Sequence, residues 1–409
     1  MIKFILICIL TMPVFTALFA QENYTLKKLT EIALQNSEII QARQWERKSF
    51  DGAIQQAGAW QNPDFSADLG SRTIGTENGI GYSFNISQPF YFPGKQQIRG
   101  DIQRNLQNAA NISLEETRRY VFRRVIALSF YYNEASHHTE YLEKRRQRFK
   151  IIEQYMSNRP FVSPQKKLEK TIVENKILLL EKEILDVKNE RKTIWEELNI
   201  YLGFDTPVDI QARWFSRGVE LKNDILLNAL KQNPELAMQD NALHRTELQK
   251  SLASKEALPD FSLSAIYSED RTSYVERFIG GGITFYLPLW NQNKGLVAQH
   301  EAEISSLQAL KTFTDKKNRA ALNTLLINYE NKRSLIQKYP MAMIEKIHEQ
   351  AEYAAFVFQK GQVDMLTYLE TEQGLFEVHT AIFKSQLDYV DSYLKILELT
   401  ASMDFQEEN

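Results

Sequence analysis

Polar and apolar residues alternate in four short stretches of this chain. Ile80, Tyr82, Phe84 and Ile86 are interleaved with Gly81, Ser83, Asn85 and Ser87. Phe261, Leu263, Ala265 and Tyr267 alternate with Ser262, Ser264 and Ser268, and Phe65, Ala67 and Leu69 with Ser66 and Asp68. Ile279, Ile283, Phe285 and Leu287 alternate with Gly280, Gly282 and Thr284. A period of two marks strands with one apolar and one polar face. The expected strands cover about 64–74, 79–88, 260–268 and 275–287. Such faces suit a membrane barrel, with lipid outside and water inside, or a sheet packed on a soluble core. The small polar residues of the second face favour the barrel. Tyr82, Phe84, Ile86, Phe261, Leu263 and Phe285 are then the lipid-facing positions.

Between these stretches the period becomes helical. Ile177, Leu180, Ile184, Val187, Ile194, Leu198 and Tyr201 form a seam that only Arg191 interrupts. Leu369, Phe376, Phe383, Leu387, Val390, Leu394 and Leu397 form another, with Leu375, Ile382, Tyr389 and Ile396 beside it. Two seams on one helix mean partners on both sides, as in a cylinder of helices. Expected helices cover about 26–60, 95–155, 164–202, 222–257, 293–358 and 363–403. The second would be roughly 90 Å long, too long for a compact domain.

The pattern occurs twice. Asn36-Ser37-Glu38-Ile39 recurs as Asn233-Pro234-Glu235-Leu236, and Pro63-Asp64-Phe65-Ser66 as Pro259-Asp260-Phe261-Ser262. Pro89 with Lys95 six residues on recurs as Pro288 with Lys294. Three matches in one order at a near-constant offset imply two copies of one unit. The chain divides into an export signal (1–20), a first repeat (21–202), a linker (203–220), a second repeat (221–403) and a tail (404–409). Turns near Asn158 and Gly361 join the long helices within each repeat.

Composition narrows the class. The 409 residues carry a net charge of -3 with acids and bases interspersed, which argues against nucleic acid as a partner. Lys3 precedes a mostly apolar run from Phe4 to Phe19, and Ala20 precedes Gln21-Glu22-Asn23. This is the layout of a secretory signal cleaved near Ala20, with an uncleaved anchor as the alternative. Cys8 is the only cysteine, so a cleaved chain has no disulfide and no thiolate site. It stands too early in the apolar run for a lipid anchor. No later stretch offers about 18 consecutive apolar residues, so no membrane-spanning helix is expected. Four strands cannot close a barrel, and open edges are not tolerated in lipid. Two copies would give eight strands, a barrel filled by its own side chains, and three would give twelve. A conducting path favours three.

Catalytic chemistry is not evident. Gly280-Gly281-Gly282 lies within a strand and lacks the lysine of a phosphate loop. His137 and His138 are adjacent, so a helix cannot aim both at one metal, and they are expected at the surface. We expect no enzyme activity, no cofactor and no metal site.

The duplicated Asn-Ser/Pro-Glu-Ile/Leu and Pro-Asp-Phe motifs, Gln88-Pro89-Phe90 with Pro93-Gly94-Lys95, Leu287-Pro288-Leu289 with Asn291, and Gly361 followed by Met365-Leu366 and Leu369-Glu370 resemble the TolC-like outer-membrane efflux family, nearest its CzcC-like group. The resemblance covers essentially the whole mature chain. It implies an α+β membrane protein: a homotrimer with a 12-stranded outer-membrane barrel on a periplasmic tunnel of antiparallel helices. It further implies docking to a periplasmic adaptor and an inner-membrane pump, and passive export of heavy-metal cations or drugs. Protein secretion through the same architecture stays open, as does a soluble periplasmic adaptor. By resemblance, Glu370 and Thr367 stand where a pore constriction forms. Asn158, Arg159, Pro160, Lys360, Gly361 and Gln362 form the adaptor-facing tips. Val363 replaces the arginine that locks some relatives, so no such lock is expected here.

Overall fold

The computed structural model describes residues 24–75, 77–158 and 163–407. The expected signal (1–20) and the tip residues Arg159 and Pro160 lie outside them. The chain enters through a short strand β1 (Tyr24–Thr25) and helices α1 (Leu26–Asn36) and α2 (Glu38–Ala57). A hairpin of β2 (Asp64–Ile74) and β3 (Glu77–Phe90) follows, then α3 (Lys95–Ser157) and α4 (Pro164–Leu202). After β4 (Ile210–Gln211) the plan repeats as α5 (Asn223–Ala229), a 3₁₀ turn, α6 (Pro234–Glu256), β5 (Phe261–Arg271) and β6 (Val275–Phe285). Helices α7 (Lys294–Lys338), α8 (Met343–Gln359) and α9 (Met365–Leu399) complete it.

One hydrogen bond recurs in both repeats. The Asn36 side-chain amide donates to Leu202 O at 3.1 Å, and that of Asn233 to Leu399 O at 2.8 Å, each across 166 residues. The repeated asparagine thus ties the start of each unit to the last carbonyls of its final long helix, which would otherwise lack partners. Asn233 also caps α6 by accepting from Glu235 N and Leu236 N.

Three expected helices are interrupted. The span 26–60 breaks at Ser37, whose extended backbone (ψ 118°) separates α1 from α2. The span 222–257 breaks at Asn233, before Pro234. The span 293–358 breaks at Pro340, which lacks the N–H that would continue the ladder. Tyr339 leaves the helix, and Met343 N donates to Pro340 O at 2.9 Å as α8 begins.

Helix α3 is the spine. Its 63 residues reach roughly 95 Å at the usual rise per residue. Helices α4, α2, α6, α9 and α8 all pack on it, so it joins the two repeats. The apolar core is distributed along it in clusters. One lies toward the tips (Leu142, Phe149, Ile152, Val173, Ile177, Phe358, Tyr368) and one at mid-length (Phe130, Phe215, Tyr329, Tyr389, Tyr393).

The connection 203–220 is fastened to this mid-length core. Its strand β4 pairs in parallel with β1. Gln386 holds the main chain of Phe215 from both sides, accepting from its N at 3.1 Å and donating to its O at 2.7 Å. Val219 N donates to the Tyr389 hydroxyl, and the Tyr329 hydroxyl donates to Val219 O. Gly218 turns the chain here with φ 73°, and a Cβ would press on Arg333 and Tyr389 at 2.9–3.1 Å. Gly218→Ala should therefore cost about 1–3 kcal/mol, read as a lower midpoint of urea unfolding. An unchanged midpoint would show that the turn relaxes freely.

Candidate barrel, pore and tip surfaces

The four long strands form one antiparallel sheet in the order β2-β3-β5-β6, so β2 and β6 are its open edges. Its register gathers the alternating residues into two continuous faces. Phe65 stands opposite Ile86, Ala67 opposite Phe84 and Leu69 opposite Tyr82. Phe84 in turn faces Tyr267, and Phe90 faces Phe261. Phe261 faces Phe285 and Leu263 faces Ile283. Phe84, Ile86, Leu263 and Phe285 are exposed, while Tyr82 and Phe261 are partly covered by neighbours. The Phe90 and Phe261 rings stack at 5.3 Å. The strands are 11, 14, 11 and 11 residues long, against the roughly 9–11 that a tilted strand needs to cross a bilayer.

The other face is small and polar, but less uniformly than the sequence suggested. Ile266 and Phe278 also lie on it, with the Phe278 ring over Gly280. Toward the strand tips the apolar face ends in a charged knot. The Glu269 carboxylate accepts from Tyr267 (2.6 Å), Arg271 (2.5 Å) and Arg277 (2.9 Å).

At the far end of the helices, Gly361 adopts the left-handed conformation (φ 71°) and reverses the chain. Gln362 N closes back on Val357 O at 3.0 Å, and Lys360 N on Phe356 O at 3.1 Å. Lys360, Gly361 and Gln362 are all exposed. Asn158 does not share the left-handed geometry of Gly361. It is right-handed (φ −79°, ψ 0°), because its N–H still closes the last helical turn on Gln154 O. Asp364 caps α9 by accepting from Thr367 N at 2.8 Å. Those hydrogen bonds from Thr367 hold its carboxyl below the usual carboxylate range.

Thr367 and Glu370 stand three residues apart on one exposed face of α9, and Glu370 makes no ion pair among the described residues. Two residues on, Glu372 points the opposite way and is fully buried. It receives Arg148 Nε at 2.7 Å and Nη2 at 3.3 Å, with Arg145 Nε at 3.4 Å and the Tyr368 hydroxyl at 3.3 Å. The Arg145 guanidinium also lies 4.5 Å above the Phe376 ring. This knot joins α3 of the first repeat to α9 of the second. The sequence reading missed it. Its signal was a pair of arginines, Arg145 and Arg148, between the apolar seam residues Leu142, Phe149 and Ile152.

The histidines also depart from expectation. His137 is exposed and stacks on Phe383, but the His138 side chain is largely buried. His379 of α9 meets it with ring centres 6.2 Å apart, and His348 of α8 meets His379 in turn at 6.4 Å. His379 is 1% exposed, stacks on Tyr141 at 3.8 Å, and its Nδ1 has no hydrogen-bond partner among the described residues. Among the described residues, no three His, Cys, Asp or Glu side chains are set to hold a metal ion. Burial, reinforced by the neighbouring histidines, lowers the His379 pKa to about 3. An unfolded His379 takes its proton near 6.5 and the folded one only near 3, so stability must fall as pH drops through that window. Glu134, raised to about 7 by burial, acts in the opposite direction between 4.5 and 7. Comparison with His379→Phe isolates the imidazole. The wild type should lose about 1.4 kcal/mol more per pH unit below 6.5 than the variant. Parallel pH profiles in urea titrations would contradict this.

A four-stranded antiparallel sheet carried on long antiparallel helices is a fold shared with solved outer-membrane channels. Solved structures with this fold include CusC, from a study of its transmembrane channel formation (15% identity, TM-score 0.71, covering 92% of this chain and 91% of that one). The CmeC outer-membrane channel of Campylobacter jejuni matches at 15% identity and TM-score 0.69, over 94% of this chain and 87% of that one. The MtrE outer-membrane channel of Neisseria gonorrhoeae, in its open state, matches at 11% identity and TM-score 0.73, over 92% and 88%. No family model matches the chain, and no curated protein matches it.

Proposed function

We propose that the chain is one subunit of a trimeric outer-membrane channel, which passively exports solutes delivered by an inner-membrane pump through a periplasmic adaptor. The observation that carries this reading is the sheet. It has a continuous exposed apolar face, strands of membrane length and two unpaired edges, and lipid tolerates such edges only when they are closed by more strand. Three protomers supply twelve strands, an even number wide enough for a path. No helix among the described residues is long and apolar enough to cross a membrane, so the sheet is the membrane element in this reading. Helix α4 also leaves Leu168, Ile172, Leu178, Leu179 and Leu185 exposed, a row suited to a neighbouring protomer.

The long helices then form the periplasmic tunnel, and the tips around Asn158 and Lys360–Gln362 meet the adaptor. The protein does no chemistry, and energy comes from the pump. Glu370 lines the pore, where three symmetry-related carboxylates favour cations, and Thr367 lies beside it. In planar bilayers the purified trimer should conduct ions, and Glu370→Gln should reduce its cation preference. A monomer that does not conduct would overturn the proposal, whereas unchanged selectivity would remove only the role of Glu370.

A further inference from the structure

The internal duplication allows the missing contact between protomers to be read from one that is already present. Inside the chain the first repeat meets the second where β3 pairs with β5. At the base of that seam Lys95, only 2% exposed, reaches Leu258 O and the Asp260 carboxylate, each at 2.8 Å. Asp260 also accepts from Phe92 N at 2.6 Å.

Each partner has a counterpart in the other repeat. Asn62-Pro63-Asp64 corresponds to Leu258-Pro259-Asp260, and Lys294 to Lys95. The correspondence is fixed independently by strand register. Phe65 faces Ile86 in the first hairpin, while Phe261, 196 residues on, faces Phe285, 199 residues beyond Ile86. The motifs give the same offsets, Pro63 to Pro259 and Lys95 to Lys294. Hence neither hairpin has slipped relative to the other.

The counterparts are open. Asp64 and Lys294 are both exposed and make no ion pair among the described residues. They lie at opposite edges of the sheet, Asp64 on β2 and Lys294 just past β6. The apolar neighbours repeat the asymmetry. Phe90 and Phe261 stack on each other across the internal seam, whereas Leu289 and Phe65 are 63% and 68% exposed. Leu236 is buried, but its counterpart Ile39 is 47% exposed.

We infer that Lys294 of one protomer is held by the Asp64 carboxylate and the Asn62 carbonyl of the next, closing the seam between copies as Lys95 closes the seam within one. This rests on the channel reading for its setting and adds the partner and the register. Transposing the β3–β5 register sets β6 antiparallel to the neighbouring β2, with Leu289 opposite Phe65, Leu287 opposite Ala67 and Phe285 opposite Leu69. All six residues then share the apolar face, which a slip of one residue would reverse.

Two measurements test this on the full-length protein extracted from membranes. Asp64→Lys and Lys294→Asp should each weaken association about a hundredfold or more, and the two together should restore it. Continued weakness in the double variant, with each chain folded, would overturn the pair. Because a charge reversal can also impair folding, the register is tested separately in a Cys8→Ser background. Leu69→Cys with Phe285→Cys should give reducible links between chains up to the trimer. Gly70→Cys with Phe285→Cys, which places the thiols on opposite faces, should give none. A conducting trimer that fails to link at Leu69 and Phe285 would overturn the seam and leave the channel standing. A monomeric, non-conducting chain would overturn both.

Discussion

Replacing Glu372 by Ala should destabilise the protein by about 3–5 kcal/mol, a far larger loss than at the exposed Glu370 on the same helix. Glu372 is fully buried between α3 and α9 and neutralises Arg148 at 2.7 Å and Arg145 at 3.4 Å. Removing its carboxylate leaves two guanidinium groups in an apolar seam, with the Glu352 carboxylate 3.5 Å from Arg148 as a distant, solvent-exposed substitute. The cost is that of uncompensated buried charge, so it should shrink if the charges are removed together. Glu372→Leu combined with Arg145→Leu and Arg148→Met should recover most of the lost midpoint in urea unfolding. A single Glu372→Ala variant as stable as the wild type would show that the knot is solvated in the assembled protein.

The second large effect belongs to the sheet. Phe84→Arg places a cation on the apolar face, near the middle of β3. If that face meets lipid, the expected cost is about 2–4 kcal/mol in each chain, borne by every protomer of the assembly. Ser83→Arg, one residue away, points to the opposite face beside Asp68 and should be tolerated. The readout is the amount of trimer in the outer-membrane fraction. Equal tolerance at both positions would mean that neither face meets hydrocarbon.

These two sites differ in how far the sequence revealed them. The strand faces were legible because strand periodicity is local: Ile80 to Ser87 carries its own pattern, and hairpin pairing cannot shift by one residue without exposing the wrong side. Duplication was legible from the recurrence of the motifs alone, although the bond that Asn36 and Asn233 share reaches across 166 residues. Helix interruptions were partly legible. Pro340, which cannot continue a helical ladder, was visible in the sequence, but the span 293–358 was expected as one helix across it. The Glu372 knot and the buried histidines were not legible, because they depend on contacts between α3 and α9 spanning more than 200 residues. Local pattern shows where a charge interrupts a seam, and only the packed structure shows what neutralises it. The connection 203–220 was similarly opaque, since Gln386 grips Phe215 from 171 residues away.

The central claim is that the sheet spans a lipid bilayer with one face in hydrocarbon and the other in water. It is tested most directly by placing a spin label in turn at positions 82 to 87 of the reconstituted protein. Accessibility to a lipid-soluble relaxer should then be compared with accessibility to a water-soluble one. Labels at 82, 84 and 86 should respond to the lipid-soluble relaxer, and those at 83, 85 and 87 to the water-soluble one. Uniform response to the water-soluble relaxer, or protection of both sets, would contradict the account.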